Sequence, residues 1–250
     1  LPEAPQMLQL LNTRRETSHP MTTFRNESCF DLLSRQESNS IDLVLIDPPY
    51  LISRDSGFKS GNNPDYDRLK IDIDFGQWDH RLDGFDQVIH ECYRVLRQGG
   101  TFICFYDLWK ITELAQMMSA AKFKQHRFLE WVKTNPVPIN QSVNYLTNAR
   151  EIALLGVKGG KPTFNSKYDN GIYEYPIEHS KGRFHPTQKN VNLIKELIEK
   201  HSNPGDTVLD CFAGSCTTGV AALELGRDFI GCELDHDYFV KANNRLAIYC

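Results

Sequence analysis

Apolar positions in this chain follow two alternating periods. Short, nearly unbroken apolar runs occur at Ile41–Ile46, interrupted only by Asp42, and at Thr101–Tyr106, Phe128–Val132, Ile152–Val157, Thr207–Leu209 and Phe229–Cys232. Runs of this length and composition predict strands, and those carrying no polar side predict strands buried on both faces, as in a parallel sheet. Thr22–Arg25 predicts one more short strand. Between the runs the spacing becomes helical. Positions 85, 88, 89, 92, 93 and 96 share a face over Phe85–Leu96, and positions 191, 193, 194, 197 and 198 share one over Thr187–Ser202. Phe30–Leu33, Leu108–Ala121, a segment opening near Thr217 and another over about Asp235–Ile248 predict the remaining helices. Gly99-Gly100, Gly159-Gly160 and Asn203-Pro204-Gly205-Asp206 punctuate the elements. Strands alternating with helices predict an α/β fold with a doubly wound, mostly parallel sheet.

Two stretches break this rhythm. Tyr50–Asp79 is polar and rich in Asp, Gly, Asn and Ser, the composition of a lid or binding loop, although Gly57, Gly61 and Gly76 equally mark simple turns. Gly159–Phe184 has no sustained period; together with 134–149 it reads as an insert on the sheet rather than another sheet layer. The chain then divides into an N-terminal extension (1–20), a first half (21–133), an insert (134–184, with one strand near 150–158) and a second half (185–250). The extension is polar, lacks a secretory pattern and begins without Met; it reads as a loosely docked, trimmed start, with Met21 as another. No apolar stretch approaches the roughly 20 residues of a membrane helix.

Composition changes the picture little and charge changes it more. The 250 residues, 40% hydrophobic and 24% charged, are those of an ordinary globular protein with one large domain or one domain and a sizeable insert. Seven scattered cysteines without a CxxC pair argue against a disulfide framework or a zinc site and for buried thiols in a reducing, cytoplasmic setting. The histidines show no metal-ligand spacing, so no metal is expected. Net charge is −4, but Trp131–Asn190 alone carries +4, leaving −8 for the rest. Such a basic stripe on an acidic body is either a phosphate-binding surface or merely solvated.

Candidate chemistry sits at two strand ends. Asp47-Pro48-Pro49-Tyr50 follows the run Ile41–Ile46, and the prolines stop the strand because they offer no ladder donor. An acid, a stiff turn and an aromatic are thus held beyond a strand's carboxyl end, where open α/β sheets place ligands. The second is Leu209-Asp210-Cys211-Phe212-Ala213-Gly214-Ser215-Cys216-Thr217-Thr218-Gly219, with Glu233 twenty-three residues after Asp210. A small-residue turn between strand and helix admits a ligand to the backbone, and an acid ending the next strand is placed for two ribose hydroxyls. No Lys follows the glycines and no GxGxxG occurs, so neither a phosphate loop nor NAD is indicated. The pattern is that of a nucleoside cofactor, or of a tight turn alone.

The pair DPPY and FAGSCTTG resembles the amino-methyltransferases of DNA that use S-adenosylmethionine. The order, DPPY first and cofactor turn last, resembles their β group, whose halves are permuted. Phe184-His185-Pro186-Thr187-Gln188-Lys189, Ile73–Asp79 and Glu130–Pro138 are similar to segments of MboII-like adenine methyltransferases. The resemblance implies a Rossmann-like methyltransferase fold with a small target-recognition insert, in which 21–133 is the catalytic half and 185–250 the cofactor half. It implies that Asp47 and the Pro48 carbonyl grip the amino group of an adenine rotated out of double-stranded DNA, with Pro49 stiffening the turn and Tyr50 stacking on the ring. It implies cofactor contacts from Ser28, Cys29, Phe30, Asp47, Thr187, Gln188, Lys189, Asp210, Phe212, Ala213, Gly214, Ser215, Glu233 and Leu234. Lys189 reads equally as a solvated charge at a helix start. Ser28, where the family usually has an acid, and Cys216, where it commonly has Gly, are departures.

DNA contacts are expected from Trp131, Lys133, Asn135, Arg150, Lys158, Lys161 and Lys167, and base reading from the amides Asn140, Gln141, Asn144 and Asn148. Trp131 reads equally as a core residue. The resemblance also implies a homodimer, pairing being common in the group, and a place in restriction–modification or standalone methylation within a bacterial or phage-infected cytoplasm. Three readings compete with adenine N6 methylation: cytosine N4 methylation, a catalytically silent cofactor-binding DNA-recognition subunit, and methylation of RNA or of a protein glutamine. The leading Asp of the tetrapeptide favours adenine.

Overall fold

The computed structural model describes residues 20–49, 84–137, 146–178, 184–185 and 187–249. Eight strands form one sheet: β1 (Thr22–Asn26), β2 (Ile41–Ile46), β3 (Leu96–Tyr106), β4 (Lys124–Lys133), β5 (Arg150–Val157), β6 (Ile172–Tyr175), β7 (Thr207–Asp210) and β8 (Asp228–Glu233). Their order is β1-β8-β7-β2-β3-β5-β4-β6. Neighbours are parallel except at β5, which runs antiparallel to both β3 and β4. The last strands of the chain, β7 and β8, lie between the first two.

The period-2 alternation of β2 explains the layering. Leu43 and Leu45 join a cluster with Ile103, Phe105, Leu155, Leu197 and Val220 under α4 (Val191–His201), α5 (Thr217–Glu224) and α6 (His236–Leu246). Val44 and Ile46 face the other way, with Ile89, Cys92, Phe102 and Met118, under α1 (Cys29–Ser34), α2 (Phe85–Val95) and α3 (Ile111–Ala120). Asp42, the one polar residue of β2, pairs with Arg97 at the start of β3 and accepts from the Thr207 N–H of β7 at 2.8 Å, stitching three strands at their entry.

Several boundaries differ from expectation, among them β4, which opens at Lys124 rather than Phe128. Helix α2 ends at Val95 because Leu96 turns extended (φ −60°, ψ 138°) and opens β3 five residues early. Gly99 falls inside that strand at φ +77°, where a Cβ would stand 2.4 Å from the Lys161 carbonyl oxygen; the two chains cross too closely for any side chain. The expected Leu108–Ala121 helix is a 3-10 turn, Leu108–Lys110, capped by Asp107, followed by α3. The Thr187–Ser202 helix begins only at Val191, since the Asn190 side chain caps it by accepting from Asn192 and Leu193 N–H at 2.9 and 3.2 Å. His185 and Thr187–Lys189 are therefore free of helix and reach the functional edge. Finally, Gly159–Phe184 does contribute to the sheet: β6 pairs with β4 as its edge strand, so the insert supplies two strands, not one.

Parallel pairing sets one consequence for function. The carboxyl ends of β1, β2, β3, β4, β6, β7 and β8, and the amino end of β5, all lie along one edge.

Candidate active site at the carboxyl edge of the sheet

At this edge β7 turns into α5 through Cys211–Cys216, and β8 ends beside it in Glu233. Glu233 organises the turn: Oε2 accepts from the Gly214 N–H at 2.8 Å and Oε1 from the Asp235 N–H at 2.9 Å. Burial pushes its carboxyl up, and those two amides pull part of the way back. Asp210 is buried and accepts from the Phe212 N–H at 3.0 Å. Desolvation, assisted by the nearby Asp47 and Glu233 carboxylates, pushes it up to about 7 against the hydrogen bonds of Thr218 and Phe212.

Gly214 lies at φ +52°, and a Cβ there would meet His185 Nε2 at 3.3 Å. The His185 ring thus closes over the turn, 4.5 Å from the Tyr238 ring, and its Nδ1 lies 3.1 Å from Thr187 Oγ1. This brings the segment before α4 against the turn after β7. Gln188 is buried. Cys216 also adopts a left-handed conformation (φ +57°), which explains why glycine suits this position. Its side chain is fully buried in the core cluster against Gly219, so it leaves the cofactor side unobstructed.

Ser28 caps α1, its Oγ accepting from the Asp31 N–H at 3.1 Å and donating to Asp31 Oδ2 at 2.6 Å. Cys29 is buried, whereas Phe30 (39% exposed), just after β1, and Leu234 (44% exposed), just after β8, present apolar surface at the same edge. Ala213 and Ser215 are buried in the turn and Phe212 is half-buried, edge-on to Phe85 at 6.3 Å. A carboxylate held against a glycine-backed turn, with exposed apolar side chains at the same edge of the sheet, fits S-adenosylmethionine.

Asp47 stands just beyond β2, one strand from that turn, since Leu43 and Val44 pair with Val208 and Leu209. Pro48 is buried and Pro49 exposed; Tyr50 lies outside the described residues. The Asp47 carboxylate is ion-paired with Lys189, whose ammonium also lies 3.0 Å from Glu151 Oε2. Glu151 Oε1 in turn lies 2.7 Å from Lys133 Nζ. Burial lowers the Lys189 pKa by itself, but Asp47 and Glu151 more than reverse this, and it rises. Burial likewise raises Glu151, but Lys189 and Lys133 outweigh it and hold the carboxyl below its usual range. Lys189 is therefore neither a solvated helix-start charge nor a lysine awaiting a partner. Glu151 had no sequence signal beyond being an acid in a predicted strand. His185 was visible only as part of the FHPTQK segment.

The DNA-contact expectations separate sharply. Trp131 is a core residue: 3% exposed, packed in the cluster with Leu129 and Tyr173, its Nε1 donating to the Tyr175 carbonyl at 2.8 Å. Lys133 is spent on Glu151, and the Asn135 amide clamps Ile177, accepting from its N–H at 2.6 Å. Lys158 is buried, donating to Asn39 Oδ1 and the Arg94 carbonyl, each at 2.9 Å. Lys158 and Lys161 follow the far end of β5, roughly 25 Å from Arg150 at about 3.3 Å per residue. Lys167 lies in the loop whose Asn165 N–H bonds the Lys200 carbonyl, again toward the far end. Arg150, by contrast, sits at the functional edge with its side chain 71% exposed beside Glu130. Asn148 is at this edge too; Asn140, Gln141 and Asn144 lie outside the described residues.

Residues 41–244 match a family model described as DNA methylase, of the N6/N4 type. The chain is 32% identical to the type II methyltransferase M2.DpnII of Streptococcus pneumoniae, over 87% of this chain and 86% of that one. It is 29% identical to the DNA adenine methyltransferase YhdJ of Escherichia coli K12, over 86% and 79%. Among solved structures it resembles M1.HpyAVI in complex with S-adenosylmethionine, at 28% identity and a TM-score of 0.66, covering 90% of this chain and all of that one. The cytosine-N4-specific PvuII DNA methyltransferase, at 19% identity and a TM-score of 0.69, shares the fold, over 92% and 89% of the two chains. With a turn and acid suited to a nucleoside, and Asp47 beside them on the next strand, this chain belongs to the N6/N4 DNA methylase family and is an S-adenosylmethionine-dependent DNA methyltransferase.

Proposed function

We propose that this chain methylates the N6 amino group of an adenine rotated out of double-stranded DNA. The observation that carries the reading is the placement of Asp47: an acid fixed beyond β2, one strand from the turn and Glu233 that suit the cofactor. Bound S-adenosylmethionine supplies an electrophilic methyl group on a positively charged sulfur. The chain has three tasks. Glu233 holds the ribose hydroxyls, Phe30 and Leu234 flank the adenine end, and Phe212, Gly214 and the Thr187–Gln188 segment take the methionine end. Asp47 and the Pro48 carbonyl accept from the two amino hydrogens of the target base. That grip draws the nitrogen lone pair out of conjugation with the ring and points it at the methyl; Tyr50 holds the ring by stacking. Rate enhancement then comes from orientation and from a carboxylate facing the positive charge that grows on nitrogen.

Adenine is favoured over cytosine by the Asp that leads the tetrapeptide and by relatives such as YhdJ, named for adenine methylation. A modification role beside a nuclease suits the type II relatives, and a bacterial cytoplasm suits their bacterial sources. Residues 21–133 and 185–250 act as catalytic and cofactor halves, with 134–184 reading the target. The reading includes a homodimer, checked by sedimentation for a species of twice the chain mass.

The deciding experiment incubates the protein with methyl-labelled S-adenosylmethionine and unmethylated bacterial DNA, then digests to nucleosides. Label in N6-methyladenine is expected. Label in N4-methylcytosine moves the assignment to the other base, and label in neither, with cofactor bound, leaves a silent subunit.

A further inference from the structure

Lys189, Glu151 and Lys133 come from three separate elements: the extended segment before α4, the first residues of β5 and the last residue of β4. They converge on Asp47 as a line of alternating charge, Asp47–Lys189–Glu151–Lys133. The Lys189 side chain is 7% exposed, and its ammonium also lies 5.0 Å from the Phe105 ring centroid. An ammonium removed from water is costly unless it is paired, so this one stays where its carboxylates are. Among the described strands β5 alone runs antiparallel to its neighbours, and this reversal brings its amino end, with Glu151, to the edge where Asp47 sits.

We propose that Glu151 and Lys189 are positioning residues for methyl transfer, Glu151 holding the Lys189 ammonium so that it fixes the Asp47 carboxylate without neutralising it. The inference rests on the reading of Asp47 as the group that grips the target amino nitrogen. Two physical demands meet there. The carboxylate has to be held in one orientation, which a buried ammonium anchored from behind achieves and a solvated one does not. It also has to keep enough negative character to favour a nitrogen that is becoming positive. An ammonium bound to Asp47 alone would oppose that charge at short range. Shared with Glu151, the same ammonium is drawn away, and Lys133 balances Glu151 in turn. A supporting shell of this sort acts through the group that touches substrate, as outer hydrogen-bond partners orient metal ligands.

The test uses the full chain with Glu151→Gln, which keeps the side-chain shape but removes the charge and one of the two acceptor oxygens, and with Lys189→Met and Lys189→Arg. Thermal unfolding, S-adenosylmethionine affinity by calorimetry, steady-state methylation over a range of DNA concentrations, and single-turnover methylation at saturating DNA are measured for each. Glu151→Gln is expected to fold, to bind cofactor within twofold of wild type, to change the KM for DNA by less than threefold, and to slow methyl transfer by at least tenfold. Lys189→Met is expected to slow it further and Lys189→Arg to recover part of the loss. Adding Lys189→Met to Asp47→Ala should cost no more than Asp47→Ala alone, because the lysine acts through that carboxylate.

Three results overturn the proposal. Lys189→Met weakening cofactor binding tenfold or more would make Lys189 a ligand of the cofactor carboxylate. A changed KM for DNA with an unchanged rate of transfer would make the line of charges a DNA contact. Variants that melt early yet transfer methyl at the wild-type rate while folded would make it only a stabilising element. Wild-type protein that labels no DNA removes the underlying reading itself, and is seen before any variant is made.

Discussion

Replacing Glu233 by Gln isolates the cofactor turn from the rest of the fold. The carboxylate accepts from two backbone donors, Gly214 N–H at 2.8 Å through one oxygen and Asp235 N–H at 2.9 Å through the other. The amide of Gln has one acceptor oxygen, so its NH2 must face one of those N–H groups, donor against donor. A hydrogen bond to a charged group contributes about 1.5–3 kcal/mol, and an unsatisfied buried donor costs a similar amount. Against this, burial already strains the ionised form of Glu233, and a neutral side chain relieves that strain. The two effects oppose each other in the free protein, so its stability should change by less than about 1 kcal/mol. Nothing offsets the loss when cofactor binds, because the ribose then meets a turn whose donor is misdirected and an acceptor without charge. Losing about 1.5–3 kcal/mol there weakens the S-adenosylmethionine Kd by roughly 10- to 150-fold. Calorimetry gives the Kd, and chemical denaturation of the same preparation gives the stability. A Kd within twofold of wild type in a folded Glu233→Gln variant would refute the role given to Glu233. A collapse in stability instead would show that the carboxylate serves the turn alone.

Four further outcomes follow from the same geometry. Asp47→Ala should lower methyl transfer by roughly 10²–10³-fold, the scale seen when one transition-state hydrogen-bonding group is removed, with cofactor affinity retained; full turnover in a single-turnover assay would remove Asp47 from the mechanism. Trp131→Ala should cost about 3–5 kcal/mol in urea denaturation, as a buried aromatic does, rather than act on DNA binding in the folded protein. Arg150→Ala should weaken DNA binding and reduce the slope of log K against log salt by about 0.9, the share of one phosphate contact, whereas Lys158→Ala should leave that slope unchanged. Acid should destabilise the protein through His201: burial pushes its imidazole down to about 4 from 6.5, so the unfolded chain takes up the proton first and stability falls as pH drops through that window. His201→Gln should flatten the melting temperature between those two values.

The sheet was readable from apolar runs because burial on both faces leaves no polar alternation to confuse them; Ile41–Ile46 emerges with the bounds expected from its residues. Helix starts were less readable. The Thr187–Ser202 expectation ran four residues too far toward the amino end, since the Asn190 cap competes with periodicity and wins. Strand β6 escaped notice because four residues, Ile172–Tyr175, give too short a pattern, and pairing with β4 rather than propensity creates it. Glu233 and Gly214 could be paired from spacing, because one strand–turn–helix–strand unit fixes their distance. Glu151 could not be joined to Asp47, because that contact depends on the order of strands and on β5 running backwards.

The basic stretch shows most clearly what local patterns leave out. Counting Lys and Arg between 131 and 190 treats them as one surface, yet they lie on strands whose two ends face opposite ways. Arg150 and Lys158 bracket β5, and a strand of eight residues separates them by roughly 25 Å. No single face of DNA running over the Asp47 edge meets both, whichever direction the strand runs. That much follows from the predicted strand alone. Which end is functional follows only from the antiparallel pairing with β3, whose carboxyl end neighbours Asp47 across β2. The reversal of β5 therefore does two things at once. It brings Arg150 and Glu151 to the Asp47 edge, Glu151 against Lys189, and it carries Lys158 away to bind Asn39 and the Arg94 carbonyl in the scaffold. Net charge of the segment is thus a poor guide to affinity here, and the exposure of each cation at the Asp47 edge is the quantity that should track the salt dependence of DNA binding.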